Sequence, residues 1–319
     1  MTGRFILSAL LLVVAGTVSS CQQPIVNEHT ETIEGVDYTL TIYGHSRKQG
    51  DRATEAVFAE LRLLAGLTDP MHSKAIARTN VLLQGGEWFS VNPSVTQILK
   101  QSIRYYTLTG GLFNPAILGA LKEKYGFYGT ATPTAPSNQR ELQNFLVAPP
   151  TMKDVNFDGI RLQGTHPGIR LDFDYLAYGY AIDIEIEHLR ELGIENATLR
   201  VGDVQRVMGP EAKRRHPFSF RTASGQGNSV LAPGGSAFCE RTAGAGPRLI
   251  LHPVTGQPVS QVRSIQLTAD TASDASVACW VLMAGSPDQW QQLAARIGVT
   301  AAVLESSDGQ YHVWTSTAQ

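Results

Sequence analysis

Two different spacings of hydrophobic residues recur along the chain and predict a mixture of strands and helices. In VDYTLTIY, every second position is apolar or aromatic, which predicts a strand with Val36, Tyr38, Leu40 and Ile42 on one face. In ATEAVFAELRLLAGL, which begins at Ala53, apolar residues recur three or four positions apart. This spacing predicts an amphipathic helix, and the following TDP ends it.

The rest of the chain continues in the same way without an internal repeat. A second helix is predicted from Ser94 and is closed by Gly110 and Gly111. Further elements are predicted, in order, as a helix through IDIEIEHLRELG, a strand ATLRVGD, a strand RSIQLTA, a buried helix SDASVACWVLMAG, an amphipathic helix SPDQWQQLAARIG, and a hairpin of TAAVLE and YHVWT across SSDG. Residues 222 to 247 are rich in Gly, Ser and Pro and show only weak patterning. Because strands and helices mix outside a strict β-α-β rhythm, the predicted fold class is α+β.

The start of the chain has the features of a lipoprotein signal. Residues 1 to 20 combine a positive charge, an apolar run too short for a transmembrane helix, and small residues directly before Cys21. Cleavage before Cys21 and acylation of its thiol would attach the mature protein to a membrane surface. An ordinary secretory signal cut near Ser20 is the alternative. The predicted organisation is a signal peptide at 1 to 20, a polar tether at 21 to 33 and one domain at 34 to 319.

Composition and charge indicate the size of the core and argue against a nucleic-acid partner. Hydrophobic residues make up 43% of the chain, which is enough for one large core or two small ones. The formal net charge is −2 and no long basic run occurs, so a nucleic-acid partner is not expected. With Cys21 carrying lipid, Cys239 and Cys279 are the remaining thiols, and they would either pair in an oxidising compartment or stay separate and buried.

Six short motifs occur in one order along the chain and carry the functional signal. They are SKAIARTN at 73 to 80, TGGLFNPAI at 109 to 117, LDFDYLAYGYAID at 171 to 183, LRELGIENATLRVGD up to Asp203, HPVTGQP at 252 to 258, and an Asp-Ala pair at 274 and 275 ahead of an apolar helix. Together they resemble the FAD:protein FMN transferases, the ApbE-like flavin transferases, across nearly the whole mature chain. Each motif alone is weak, whereas the combination is specific.

The resemblance implies a fold, a reaction and a location. The expected fold is the α+β ApbE-like flavin transferase fold, with mixed sheets and packed helices. Such a protein binds FAD and Mg²⁺, transfers FMN to a threonine hydroxyl of an acceptor protein and releases AMP. Members are commonly bacterial envelope lipoproteins, which agrees with the signal and implies a membrane-anchored protein that faces the periplasm or the outside.

The resemblance also implies a metal site, and the match to it is incomplete. In the family, Mg²⁺ binds the backbone oxygen of an alanine in an A-K-G-like turn, together with an Asp and a Thr of a D-A-x-x-T helix start. Ala177 and Asp274 match two of these ligands, and Asp274 is also the candidate catalytic residue. The threonine position holds Ala278, and a shift of one residue would bring Val277 or Cys279 there. None of these side chains offers an oxygen.

Four positions are candidates for cofactor binding by the same resemblance. Tyr178 stands where the family has a lysine, which removes a cation near the phosphates. Asp203 survives from a G-G-D motif, while Thr255 and Gly111 match the family directly. Other retained positions are Asn80, Thr109, Gly110, Asn114, Pro115, Gly179, Asp183 and Gly256.

Several candidate residues also have a purely structural interpretation. Asp172 and Asp183 would cap or salt-bridge the helix that begins between them, and Asp274 would serve either as a helix N-cap or as a metal ligand. His252 stands in an aspartate position of the family and is expected to be a hydrogen-bonded structural residue rather than a base. Leu249 replaces a family histidine, and the aromatic residue that stacks on the flavin falls near Asp69.

Two functional hypotheses follow. The chain is either a divergent flavin transferase that uses water or other oxygens in place of the missing ligand, or a non-catalytic relative that binds a flavin, a nucleotide or a protein partner at the envelope. Loss of a metal ligand together with a phosphate-side cation favours impaired or absent transfer, with weak binding of Mg²⁺.

Overall fold

The computed structural model describes residues 26–68, 74–127, 135–221, 229–231, 234–244 and 249–316. The expected signal peptide, Cys21 and Asp69 lie outside these ranges. Within them, no helix is both long enough and apolar enough to cross a membrane.

Helices and strands follow one another along the described chain as an α+β arrangement. The helices are α1 Arg47–Thr68, α2 Lys74–Gln84, α3 Pro93–Leu108, α4 Pro115–Lys124, α5 Gln139–Phe145, α6 Asp174–Glu191, α7 Pro210–Arg215, α8 Ala272–Ala284 and α9 Trp290–Ile297. The strands are β1 Val26–Ile33, β2 Val36–Tyr43, β3 Phe89–Ser90, β4 Val155–Asp158, β5 Arg161–Gly164, β6 Ala197–Val201, β7 Val204–Met208, β8 Ser219–Arg221, β9 Ser229–Leu231, β10 Ala237–Thr242, β11 Val262–Ala269, β12 Val299–Ser306 and β13 Tyr311–Thr315. The predicted strand at β2, the strand at β11, the buried helix α8 and the closing hairpin of β12 and β13 are confirmed.

An eight-stranded sheet organises the fold. Its strand order is β1-β2-β6-β7-β10-β11-β12-β13, and each neighbouring pair is antiparallel. Two smaller sheets, β3-β5-β4 and β8-β9, contain the remaining strands. Helix α8 packs on β10, β11 and β7, while α6 packs on β6 and β7. The main hydrophobic core therefore lies between the large sheet and these two helices.

Helix α8 is the centre of that core, and all thirteen of its residues are buried. Its partner α6 approaches it closely at Gly179, where an added Cβ atom would clash with the backbone oxygen of Ala272 and lie 2.7 Å from the Cα of Ser273. The carboxylate of Asp183 then accepts hydrogen bonds from the backbone N–H groups of Ala272 and Ser273, at 2.9 and 2.8 Å. Asp183 thus satisfies the free N–H groups at the start of α8 rather than those of its own helix.

Two expectations from the sequence are wrong, and one central strand was not predicted. Residues 26–33 of the expected polar tether form β1, which pairs with β2 along its whole length. Because β1 is an edge strand with mostly exposed polar side chains, it lacks the apolar alternation that marks a strand. The weakly patterned region contains β10, a central strand. Helix α6 begins at Asp174, so Ala177 and Tyr178 lie inside a helix and not in a turn.

The two cysteines left open by the sequence form a disulfide bond. Cys239 on β10 and Cys279 on α8 have Cα atoms 6.4 Å apart, and the bond joins the sheet to the helix that covers it. Both residues are fully buried.

A second, smaller core cluster consists of Ile117, Leu121, Tyr125, Leu142 and Leu251.

Removing the disulfide is expected to destabilise the protein substantially. The bond closes a segment with a sequence separation of 40 residues. Loop-closure entropy for a segment of that size corresponds to about 4 kcal/mol of unfolding free energy. Urea unfolding of the Cys239→Ala, Cys279→Ala double variant should show this loss, and dithiothreitol should lower the midpoint of the wild type alone. Equal midpoints for the double variant and the oxidised wild type would contradict the assignment.

A methyl group at the helix crossing is expected to be costly. Gly179→Ala forces α6 and α8 apart, because the new Cβ has only backbone atoms in front of it. We expect a loss of about 3 kcal/mol in unfolding free energy, the upper part of the range for overpacking. Gly66→Ala is the matched control, since Gly66 lies in α1 with open space at its Cβ. Thermal melts should show a large drop for the first variant and none for the second.

Candidate functional site

The stretch 171 to 183 places two aspartates around one buried lysine. Lys122 on α4 has its Nζ 2.9 Å from Asp172 Oδ2 and 2.9 Å from Asp174 Oδ2. Asp172 Oδ1 also accepts a hydrogen bond of 2.9 Å from the backbone N–H of Asp174, the first residue of α6. The structural interpretation of Asp172 is therefore confirmed, because it both supports a helix start and pairs with a lysine.

A second buried ion pair lies beside the first. Asp203 Oδ2 accepts a hydrogen bond of 2.7 Å from Arg241 Nε, and the arginine side chain is only 8% exposed. The Tyr175 ring connects the two pairs, because its centroid is 5.4 Å from Lys122 Nζ and 5.3 Å from Arg241 Cζ. We call Lys122, Asp172, Asp174, Asp203 and Arg241 the buried charge cluster. Burial raises the pKa of Tyr175 to about 12, so its hydroxyl is neutral near pH 7.

Tyr178 lies next to the buried charge cluster. It is half-buried, and its ring is 3.7 Å from the position that a Cβ on Gly202 would occupy. Burial is the main cause that raises its pKa, followed by the charge of Asp174, the hydroxyl of Tyr38 and the charge of Asp203. A phenol in this position stays neutral at any physiological pH. It therefore cannot supply the positive charge that a lysine would bring.

The cations of the cluster are already matched by its own carboxylates. Lys122 and Arg241 face three aspartates, so the cluster has no unmatched positive charge. A pyrophosphate group needs the opposite sign of charge around it. The arrangement can hold α4, α6, the β6-β7 turn and β10 together, but it does not resemble a cradle for phosphates.

Asp274 is engaged by protein hydrogen-bond donors on both of its carboxylate oxygens. Oδ2 accepts from the Thr271 hydroxyl at 2.6 Å, and Oδ1 accepts from the Tyr105 hydroxyl at 2.8 Å. Arg104 Nη1 lies 3.5 Å from Oδ1. The N-cap of α8 is Thr271, whose hydroxyl accepts from the backbone N–H of Asp274. Asp274 is thus the partner of the cap and not the cap itself.

These contacts allow a test of the Mg²⁺ site that the resemblance implies. Mg²⁺ requires several oxygen ligands in a near-octahedral arrangement. Asp274 has its oxygens occupied and a guanidinium nearby, and Ala278, one turn further along α8, is fully buried without a side-chain oxygen. Ala177 is buried inside α6, where its backbone is part of the helix. The residues present therefore do not fit a Mg²⁺ site of the family type.

The other sequence-derived candidates lie in loops. His252 Nδ1 accepts hydrogen bonds from the backbone N–H groups of Val254 and Thr255, at 3.1 and 3.4 Å. Burial lowers the pKa of His252, so it is a neutral acceptor that organises its loop, as expected. Thr255 is exposed and accepts a bond from Gln257 N. Gly111, with φ of 88°, closes the turn after α3 by donating its N–H to Tyr106 O at 2.8 Å.

Sequence reasoning missed Lys122, Arg241, Tyr105 and Thr271, and two of them had a signal. Lys122 directly follows the apolar run PAILGAL in α4, and all residues of that run are buried. A lysine at the end of such a run is expected to be buried and paired. Arg241 alternates with Ala237 and Cys239 in AFCERT, and the three share the buried face of β10. The alternation predicts a strand with an inward arginine, and only a buried carboxylate could pair with it.

Comparison with known proteins agrees with the fold and the motifs. The profile of the ApbE family matches residues 35–304. An FAD:protein FMN transferase from Rhodobacter capsulatus is 25% identical over 324 residues, covering 97% of this chain and 60% of that protein. One from Vibrio cholerae serotype O1 is 26% identical over 207 residues, covering 63% of this chain and 59% of that protein. The chain spans about 60% of the length of these curated relatives.

Solved structures show the same fold. The flavin transferase ApbE from Vibrio cholerae has a TM-score of 0.77 at 19% identity, covering 92% of this chain and 98% of that one. The flavinyl transferase ApbE of Pseudomonas stutzeri, in its apo form, has a TM-score of 0.74 at 20% identity, covering 92% and 96%. With the family profile spanning most of its length, the chain belongs to the ApbE family.

Proposed function

We propose that this chain is a non-transferring member of the ApbE family, which keeps the flavin transferase fold as a binding module at the bacterial envelope. The observation that carries the proposal is the buried charge cluster beside Tyr178. Its cations are held by carboxylates of the protein, and the position of the family lysine is neutral. FAD is the ligand that the curated relatives suggest, and because the cluster has no unmatched positive charge, FAD should bind weakly.

The proposal rests on what FMN transfer requires. The reaction spreads negative charge over a pyrophosphate while a hydroxyl attacks, so cations and a metal ion have to stabilise it. Removal of one such electrostatic contact costs about 3 kcal/mol of transition-state stabilisation in other enzymes. Two contacts are missing here, at Tyr178 and Ala278. Their combined loss would slow transfer by several orders of magnitude.

The second candidate function is transfer of FMN from FAD to a threonine of an acceptor protein. Membership of the ApbE family and the names of the curated relatives favour it. The two candidates share the fold and differ in whether FAD is consumed.

A direct assay separates the two candidates. The wild-type chain is expected to release no AMP from FAD and to add no FMN mass to a threonine-containing acceptor peptide. Tyr178→Lys combined with Ala278→Thr should tighten FAD binding at least tenfold in the presence of Mg²⁺, because the lysine adds a cation beside the cluster and the threonine restores a side-chain oxygen of the family metal site. Chromatography of the nucleotides and fluorescence titration with FAD measure both effects.

Tyr178→Phe is the matched control, since it keeps an aromatic ring without adding charge. Its FAD affinity should equal that of the wild type. Because Ala278 is fully buried, circular dichroism should first show that the double variant is folded. Efficient transfer by the wild type would refute the proposal and establish the second candidate.

We further propose that the protein is a lipoprotein anchored through Cys21. Residues 1 to 21 provide the sequence basis, and the Cys239–Cys279 disulfide supports an oxidising compartment. Cys21→Ser should abolish acylation and move the protein from the membrane fraction to the soluble envelope fraction. Immunoblots of the two fractions test this, and unchanged membrane retention of the variant would exclude the anchor.

A further inference from the structure

A second cluster of ionisable side chains lies between α1 and α6, away from the candidate site. It consists of Glu60 on α1 and of Glu185 and His188 on α6, and the ligand-type atoms of the three lie within 4.8 Å of one another. His188 Nδ1 is 3.2 Å from Glu60 Oε2 and 3.1 Å from Glu185 Oε2. Among the residues that the structure describes, this is the group of three such side chains whose potential ligand atoms lie close enough together to share one ion.

The sequence explains why the three side chains converge. Glu185 and His188 are three residues apart on α6, so they share one face of the helix. That face packs against α1, which contributes Glu60. A Glu-x-x-His pair on one helix together with a Glu on a neighbouring helix is a ligand arrangement used by carboxylate metal sites in helical proteins. Both supporting elements are regular helices, which hold the ligands in fixed positions.

An independent observation indicates that a ligand is missing from this cluster. Glu185 is 0% exposed, and its Oε1 has no hydrogen-bond partner within the described part of the chain. A buried carboxylate oxygen without a partner is costly, and a bound cation is one of the few ways to satisfy it. Burial, followed by the charge of Glu60, raises the pKa of Glu185 to about 8, and a cation bound between the two carboxylates would favour its ionised form.

The surroundings give a metal ion access to the cluster. A cleft of about 510 Å³ opens next to it and is lined by residues that include Glu60, Gln101, Tyr180 and His188. The Glu60 and His188 side chains are 43% and 24% exposed, so they face solvent while Glu185 closes the inner side. Water can therefore reach an ion here and complete its coordination shell.

The two carboxylates and one imidazole indicate which kind of metal ion would bind. Mg²⁺ and Ca²⁺ take oxygen ligands, whereas a set of one imidazole and two carboxylates suits divalent transition metals. We propose that Glu60, Glu185 and His188 bind a divalent transition-metal ion, for which Zn²⁺ is the best match. Zn²⁺ with three protein ligands keeps one position for water, and that position would face the cleft. Glu185 follows Tyr178 by two turns of α6, about 10 Å along the helix, so the site is distinct from the position discussed for Mg²⁺.

Titration of the purified full-length chain with Zn²⁺ tests the proposal. After removal of metals by a chelator, calorimetry should show one tight site, and Zn²⁺ should raise the melting temperature because it joins α1 to α6. Millimolar Mg²⁺ should not displace it. His188→Ala and Glu185→Gln should each weaken Zn²⁺ binding at least 100-fold. Glu185→Gln keeps the shape of the side chain and removes the buried ionisable group, so the metal-free variant should be at least as stable as the wild type.

Glu191→Gln is the matched control, since Glu191 lines the same cleft but lies outside the group of three. This variant should bind Zn²⁺ as the wild type does. The proposal is wrong if the wild type shows neither heat of binding nor a shift in melting temperature. It is equally wrong if the His188 and Glu185 variants bind as tightly as the wild type, because the ion would then occupy other histidines.

Discussion

The close crossing of α6 and α8 determines where the candidate residues of these two helices lie, namely Ala177, Tyr178 and Asp274. The crossing is possible because Gly179 has no side chain where the backbone of Ala272 passes. Two polar contacts then fix its register, since Asp183 holds the first N–H groups of α8 and the Ser276 hydroxyl donates to Tyr175 O at 2.9 Å. The motifs at 171 to 183 and at 274 and 275 are therefore two sides of one contact. Packing of the two helices accounts for the glycine at 179 and for the buried contacts of Asp183.

Beside this crossing, the protein uses charge for its own architecture. Buried lysine and arginine side chains have to be paired, and here each finds an aspartate within 3 Å. Aromatic rings pack next to these ion pairs and also stabilise the fold. Tyr175 stacks on Trp280 with ring centroids 5.0 Å apart, and Trp280 in turn contacts Phe113. A site whose charges are satisfied by neighbouring elements has little left to offer an anionic ligand. The charged side chains of the cluster therefore stabilise the fold and are not available to bind a ligand.

The sequence predicted the parts of the structure that have a strong local pattern. The strand β2, the helix α8 and the closing hairpin followed from hydrophobic period and turn residues, and the family motifs identified the fold. Edge strand β1 and central strand β10 were missed for opposite reasons. The first is polar because one face meets solvent, and the second lies in a region of Gly, Ser and Pro that obscures its alternation. The partners of Asp274 could not be predicted, because Tyr105 and Thr271 are brought to it only by the tertiary fold.

If Cys21 carries the proposed lipid, the position of β1 also limits how far the domain can stand from the membrane. The sheet begins at Val26, and only residues 22 to 25 separate it from Cys21. A fully extended chain spans at most about 18 Å from Cys21 to Val26, which is less than the width of the domain itself. With lipid on Cys21, the edge strand would lie against the headgroups and the molecule could not turn freely. Any partner would then have to meet the protein within the tether length plus one domain width of the bilayer surface.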